Sequence, residues 1–320
     1  MKGIFVGLIV VGGVALVGGA ALFAYGLYKN KGNDEFLTHD HTFEENIDDI
    51  DINLNTSNLE FKKAEDDKVK VVCVEKEKVY HTAEVKDNKL TIKQVDDRKW
   101  YQKYILNFNF KSTSVTVYLP EASYNDLTID NDTGKIVINK DFSFANIDLQ
   151  NDTGDVKIYS DVTNNLKATV HTGNVLIDGI KAKNINGKSS TGDFNLKNIE
   201  VEEKIELNAS TGDVNLNNVK AKDFISKTST GHAELSDTVV ENEMRIKTST
   251  GHVRFDKSDA KTIDVETSTG SVKGTLLTKK IFDAKSDTGS VKTPSASEMI
   301  DATGTCTIRT STGEIKVSIA

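Results

Sequence analysis

The chain has 320 residues, of which 37% are hydrophobic and 28% charged, with 22 Gly, 2 Pro, 2 Cys and a formal net charge of −8. The apolar share is too high for a disordered chain. The two cysteines exclude a disulfide-rich scaffold, and no Cys-x-x-Cys pair offers a thiolate zinc site. The negative balance argues against nucleic acid, whose binding rests on a basic surface.

In chain order, the first feature is apolar. No charged residue occurs from Gly3 to Tyr28. As a helix those residues would extend about 39 Å, against a hydrocarbon core of roughly 30 Å. The run is longer than the ~7–15 residues of a signal peptide's apolar stretch. It therefore predicts an uncleaved transmembrane helix over 4–28, after a cytoplasmic start at 1–3. Residues 29–44 read as a linker, and His39-Asp40-His41 as part of it rather than a metal site. The expected location is a single-pass position in the cell membrane, with the large domain outside.

Residues 45–125 alternate apolar and polar in short stretches, as in Ile50-Asp51-Ile52-Asn53-Leu54, Val69–Val74, Leu90-Thr91-Ile92 and Val115–Leu119. This period is that of strands. The part is expected to be a β cap or a set of irregular first coils covering one end of the repeat region that begins at 126. Trp100, Tyr101, Tyr104, Phe108 and Phe110 form its one aromatic cluster. It has two readings, burial within a small β cap or a partner-binding patch on Trp100, Tyr101 and Tyr104.

From 126 to 320 the chain repeats. Thr-Gly recurs at Gly134, Gly154, Gly173, Gly192, Gly212, Gly231, Gly251, Gly270, Gly289 and Gly313, with gaps of 19 or 20 residues until a last gap of 24. Two residues after these glycines stand Ile136, Val156, Val175, Phe194, Val214, Ala233, Val253, Val272, Val291 and Ile315. Seven before stand Leu127, Ile147, Leu166, Ile185, Ile205, Phe224, Met244, Ile263, Phe282 and Cys306. One such coil cannot bury its apolar side, whereas stacked coils share a continuous core. The pattern predicts an all-β parallel solenoid of about ten coils, spaced about 4.8 Å apart. Apolar positions are odd offsets before the glycine and even ones after it, so Thr-Gly is a corner, where glycine adopts a backbone costly for other residues. A second corner is expected near Ile180, Ile199 and Val219. The 24-residue gap fits one coil with a loop of about five extra residues near Pro294–Met299, returning to phase with a buried Cys306. The Thr-x-Thr pairs, such as Thr248/Thr250, share parity with the apolar columns and, unless a bend intervenes, are expected to face inward, against an outward ice-binding array.

The opening Ile50-Asp51-Ile52, the Leu90-Thr91-Ile92 strand, Val115–Pro120 and the Ser/Asp-Thr-Gly-x-Val repeats resemble the "putative-adhesin" family of bacterial β-strand-repeat proteins, which includes LiaG-like envelope-stress proteins. The resemblance covers roughly residues 45–320. It implies a right-handed parallel β-helix, often membrane-anchored and facing outward in Gram-positive bacteria, and supplies no catalytic residues.

β-Helices also house polysaccharide lyases and hydrolases. Phe194, Phe224, Phe255 and Phe282 fall in inward columns, and the repeats contain no Trp to stack on a sugar. After each glycine comes an outward polar residue: Asp155, Asn174, Asp193, Asp213, His232 and His252 among them. These read as solvated turn side chains rather than a calcium or His–His metal site. The sequence thus predicts a non-enzymatic, membrane-anchored envelope-binding or sensing solenoid with no catalytic, cofactor or metal residues and no small-molecule substrate. A cell-envelope or protein partner is expected. An accessory subunit of a membrane stress-response system and a carbohydrate-active enzyme are the alternatives.

Overall fold

The computed structural model describes residues 36–99 and 112–320. The predicted span over 4–28 and the Trp100, Tyr101, Tyr104 cluster lie outside the described residues. Among the described residues no helix is long and apolar enough to cross a membrane; the one helix there is a 3-10 turn at Ala296–Met299.

Residues Thr38–Ala320 form one body of stacked β coils. Successive coils pair in parallel and in register, so that Ile185 lies against Ile205 and Leu207 against Ser226. The inward columns are buried as the repeat requires: Ile205, Phe224, Met244, Ile263 and Cys306 are all inaccessible to solvent. Alternation places every second side chain inside, where it meets its counterpart one layer away.

The coils from Gly173 to Gly251 have three bends rather than the two expected. The first is the Thr-Gly corner. The second lies six residues later, at left-handed Gly179, Asn198, Asn218, Asp237 and Lys257. This is one residue before the expected position; Ile180, Ile199 and Val219 pack inside immediately after it. The third is a break in register, as between Ala182 and Asn184.

The glycine corner has a further cause. A Cβ on Gly212 would lie 2.1 Å from the carbonyl oxygen of Gly192, and one on Gly231 only 1.9 Å from that of Gly212. Gly270 lacks the positive φ of the other nine, yet a Cβ there would meet Gly251 O at 1.8 Å. Close approach of stacked backbones therefore favours glycine at each of the ten Thr-Gly layers, and backbone conformation adds to it at nine of them.

At both ends the layers depart from chain order. Near the start, β1 (Phe36–Phe43), β2 (Asp49–Lys63), β3 (Val69–Lys76), β4 (Val79–Lys86), β5 (Lys89–Asp96) and β6 (Thr113–Leu119) precede the first Thr-Gly coil. β2 is itself a complete coil. Ile50 pairs with Leu127 and Leu59 with Ile136, which puts Ser57 in the glycine column. On its other side Ile50 pairs with Leu90 of β5 and Leu59 with Val115 of β6. Thus β2 lies between layers that come after it in sequence, and residues before 126 include a coil of the stack, as the reading of irregular first coils has it. β3 joins β6 and β4 joins β5, both antiparallel. β1 pairs with β3, so residues 36–43 are strand and not linker. Their polar sequence concealed this, because an edge strand needs only its backbone to pair.

The C-terminal end mirrors this arrangement. Cys306 pairs with Ile263 on one side and Phe282 on the other. The last coil is therefore inserted between the Gly270 and Gly289 layers and does not stack beyond them. The long connection near Pro294–Met299 lets the chain pass outside the Gly289 layer and return. Insertion buries Ile308, Ile315 and Val317, while the less apolar Gly289 coil, with Phe282 partly covered and Val291 exposed, becomes the terminal layer.

Candidate functional site

β3 turns inward Val69, Val71, Cys73 and then Glu75. A carboxylate thus occupies a position where the alternation calls for an apolar residue. The Glu77-Lys78 turn brings the chain back into β4, whose inward residues begin with Val79 and His81. Cys73, Glu75 and His81 are all buried, and their donor atoms lie within 4.8 Å of one another. Ser57 of β2 and Thr113 of β6, also buried, complete the surroundings.

The hydrogen bonds have a definite direction. The carbonyl of Thr56 can only accept, so the Thr113 hydroxyl donates to it. Thr113 Oγ1 then accepts from the Ser57 hydroxyl at 2.6 Å. Ser57 Oγ in turn accepts from His81 Nε2, 2.9 Å away. The imidazole Nε2 thereby carries a proton, and Nδ1 and Glu75 Oε2, 3.0 Å apart, hold a second one between them. Glu75 Oε2 also accepts the His81 backbone N–H at 2.7 Å, and His39 Nδ1 contacts Glu75 Oε1. Burial holds the His81 pKa below its ordinary value, against the hydrogen bond and charge of Glu75. Burial, reinforced by Glu75 and Asp40, pushes the Cys73 thiol up to about 12.

Ser57, His81 and Glu75 succeed one another as in a nucleophile triad, but the proton directions oppose that chemistry. Ser57 donates away from His81, and the Nε2 that would take its proton already carries one. The arrangement instead presents a thiol, a carboxylate and an imidazole nitrogen to a common point. Reading β3 only to Val74 missed Glu75. The next inward position of the same alternation would have exposed a buried acid, which requires a partner. His39, expected in a linker, is on β1, and Asp40 beside it pairs with Lys70 at 2.7 Å.

The corner columns serve the stack itself. Asp213 Oδ1 accepts the backbone N–H of His232 at 2.7 Å, His232 Nδ1 that of His252 at 2.9 Å, and His252 Nδ1 that of Ser271 at 2.9 Å. Asp155, Asn174 and Asp193 each do the same for the next layer. The rings of His232 and His252 stack in parallel, 5.1 Å apart. Asp155, Asn174, His232 and His252 are exposed and Asp193 and Asp213 half-buried turn side chains, with a laddering role that sequence did not show. In the Thr-x-Thr pairs the bend that the parity argument allowed for does intervene. Thr248, Thr267 and Thr310 face inward and donate to the Gly231, Gly251 and Gly270 carbonyls. Thr250, Thr269 and Thr312 are exposed, because the bend begins between the two threonines.

A family model described as Toastrack DUF4097 matches residues 47–206 and again 200–320. The chain belongs to the Toastrack family. The resemblance carried by the Ser/Asp-Thr-Gly-x-Val repeats holds. The sequence matches none of the curated proteins. Among solved structures, Toastrack coils like these are similar to a "putative adhesin" from Bacteroides fragilis, at 15% identity over 89% of this chain and 98% of that one, with a TM-score of 0.40. A "putative lipid binding protein" from Parabacteroides distasonis is 16% identical over 76% of this chain and 95% of its own, with a TM-score of 0.45. A "putative adhesin" from Parabacteroides merdae is 13% identical over 77% and 96%, with a TM-score of 0.48.

Proposed function

We propose that the protein is a non-enzymatic, right-handed β-solenoid, anchored in the cell membrane by residues 4–28, that binds an extended anionic polymer of the cell envelope. The observation that carries this reading is a basic row. Arg254, Lys273, Lys316 and Lys292 stand in one outward column on four successive layers. All four are exposed, in a chain whose net charge is −8. The inserted last coil supplies Lys316 and so makes the row continuous. Charges about 4.8 Å apart along one line suit a chain of repeating anions better than a single small ion. The row lies in the last four layers, at the C-terminal end of the stack. Glu314 beside Lys273, at 2.6 Å, sets the edge of the row.

The test is binding of the purified full-length chain to a poly(glycerol phosphate) polymer. Binding that weakens with salt, and weakens further in Lys273→Glu and Lys316→Glu, supports the reading. Undiminished binding in both variants, or none in the parent, overturns it. Protease added to intact wall-stripped cells tests the anchor: the large domain should be removed, and full protection would reverse the topology.

A further inference from the structure

We propose that Cys73, Glu75 and His81 form a zinc site, with His39 as the fourth ligand at its mouth. The donor set comes first. A thiol and imidazoles select a borderline-soft transition ion over calcium or magnesium, which require oxygen ligands. Zinc in a closed site takes four such groups at about 2.0–2.3 Å, which sets donor–donor separations near 3.3–3.8 Å. The three buried donors lie within 4.8 Å of one another without any ion, so adjustments of about 1 Å bring these three to ligating separations, and His39 must swing in from its contact with Glu75.

The surrounding bonds point to the same chemistry. Metal-bound histidines donate their second ring N–H to a fixed acceptor, which sets the tautomer. Here the sequence Thr56 carbonyl, Thr113, Ser57 supplies that acceptor for His81 Nε2 and turns Nδ1 toward Glu75, where it can ligate once the proton between them leaves. Glu75 is buried with two imidazoles and one backbone N–H as its partners, an incomplete compensation that a dication completes. His39, more than half exposed on β1, contacts the other carboxylate oxygen. On binding, the Cys73 thiol proton and the proton held between His81 Nδ1 and Glu75 Oε2 leave to solvent. Thiolate and carboxylate together then balance the charge of the ion.

The outward pair His232 and His252 offers no equivalent. Both Nδ1 atoms are engaged by backbone N–H groups, so this pair serves as the control.

The experiment uses the metal-stripped full-length chain in detergent, with Co²⁺ alone and then Zn²⁺ as probes. One equivalent of Co²⁺ should produce a near-ultraviolet thiolate-to-metal band and the strong visible bands of four-coordinate cobalt. One equivalent of Zn²⁺ should abolish both, and excess Ca²⁺ or Mg²⁺ should leave them. Cys73→Ser should lose the near-ultraviolet band; Cys306→Ala and the double variant His232→Asn/His252→Asn should keep it. Ser57→Ala should keep the band while weakening affinity about 10–100-fold, the effect of losing an outer-shell partner. A parent protein with no near-ultraviolet band overturns the proposal without recourse to any variant. A band that survives Cys73→Ser, or disappears with the His232/His252 pair, overturns it as well.

Discussion

Lys280 is the most consequential charge in the C-terminal end. It is 2% exposed, and its Nζ lies 2.7 Å from Oδ1 of Asp259, which is nearly as buried. Asp259 belongs to the Gly270 layer and Lys280 to the Gly289 layer, with the inserted final coil between them. The two meet because Gly304, paired with Lys280 in that coil, has no side chain. A Cβ on Gly304 would come within 2.1 Å of Lys261 O and 3.2 Å of Lys280 Cδ. Lys280→Met leaves the Asp259 carboxylate buried with the Ala260 N–H, at 2.8 Å, as its remaining partner. Stranding a buried charge in this way costs about 3–5 kcal/mol. Asp259→Leu, which strands the ammonium, should cost a similar amount, and the double variant Lys280→Met/Asp259→Leu much less than the sum. Gly304→Ala should loosen the same end by wedging the layers apart. Denaturant unfolding of the four proteins in the cycle, with hydrogen exchange over residues 304–319, measures all of this. Coupling below about 0.5 kcal/mol would refute the clasp, and a harmless Gly304→Ala would refute the inserted order, because residue 304 would then lie in an uncovered outer coil.

Two further outcomes are expected from the stack. Gly231→Ala should destabilise by about 3–5 kcal/mol, since its Cβ would sit 1.9 Å from Gly212 O and force apart a ladder that includes Gly231 N–H to Thr250 O. Gly179→Ala, at φ +70° with nothing within 4 Å of the new Cβ, should cost only the ~1–2 kcal/mol of a left-handed alanine; equal melting-temperature losses would remove close approach as the cause. Burial raises the Cys306 thiol to about 12 from an ordinary 9. The folded state therefore resists ionisation, and this contribution to stability, full below pH 9, is lost as pH rises from there toward 12. Cys306→Ala should flatten stability curves over that range, and rapid labelling of Cys306 by thiol reagents in the native protein at pH 8 would contradict its burial.

The sequence by itself determines the coil. The Thr-Gly interval sets its length, the two apolar columns set what faces inward, and Cys306 can be placed at the core from its offset alone. These are local properties, in which a period of two and a glycine corner leave the chain one way to bury its apolar side. Layer order is different in kind. Every coil presents nearly the same inward column, so Cys306 packs as well on Ile263 as on Phe282, and the periodicity carries register without carrying order. Which coil neighbours which is decided by long connections, by the end that can tolerate exposure, and by contacts such as Lys280 with Asp259. The same holds where β2 slips between β5 and β6 on one side and the Gly134 coil on the other. The Cys73, Glu75 and His81 cluster belongs to that second kind. Glu75 was visible as a break in the alternation of β3, but its relation to Ser57 and Thr113 arises only because β2 and β6, 56 residues apart at those hydroxyls, are adjacent layers in the folded stack.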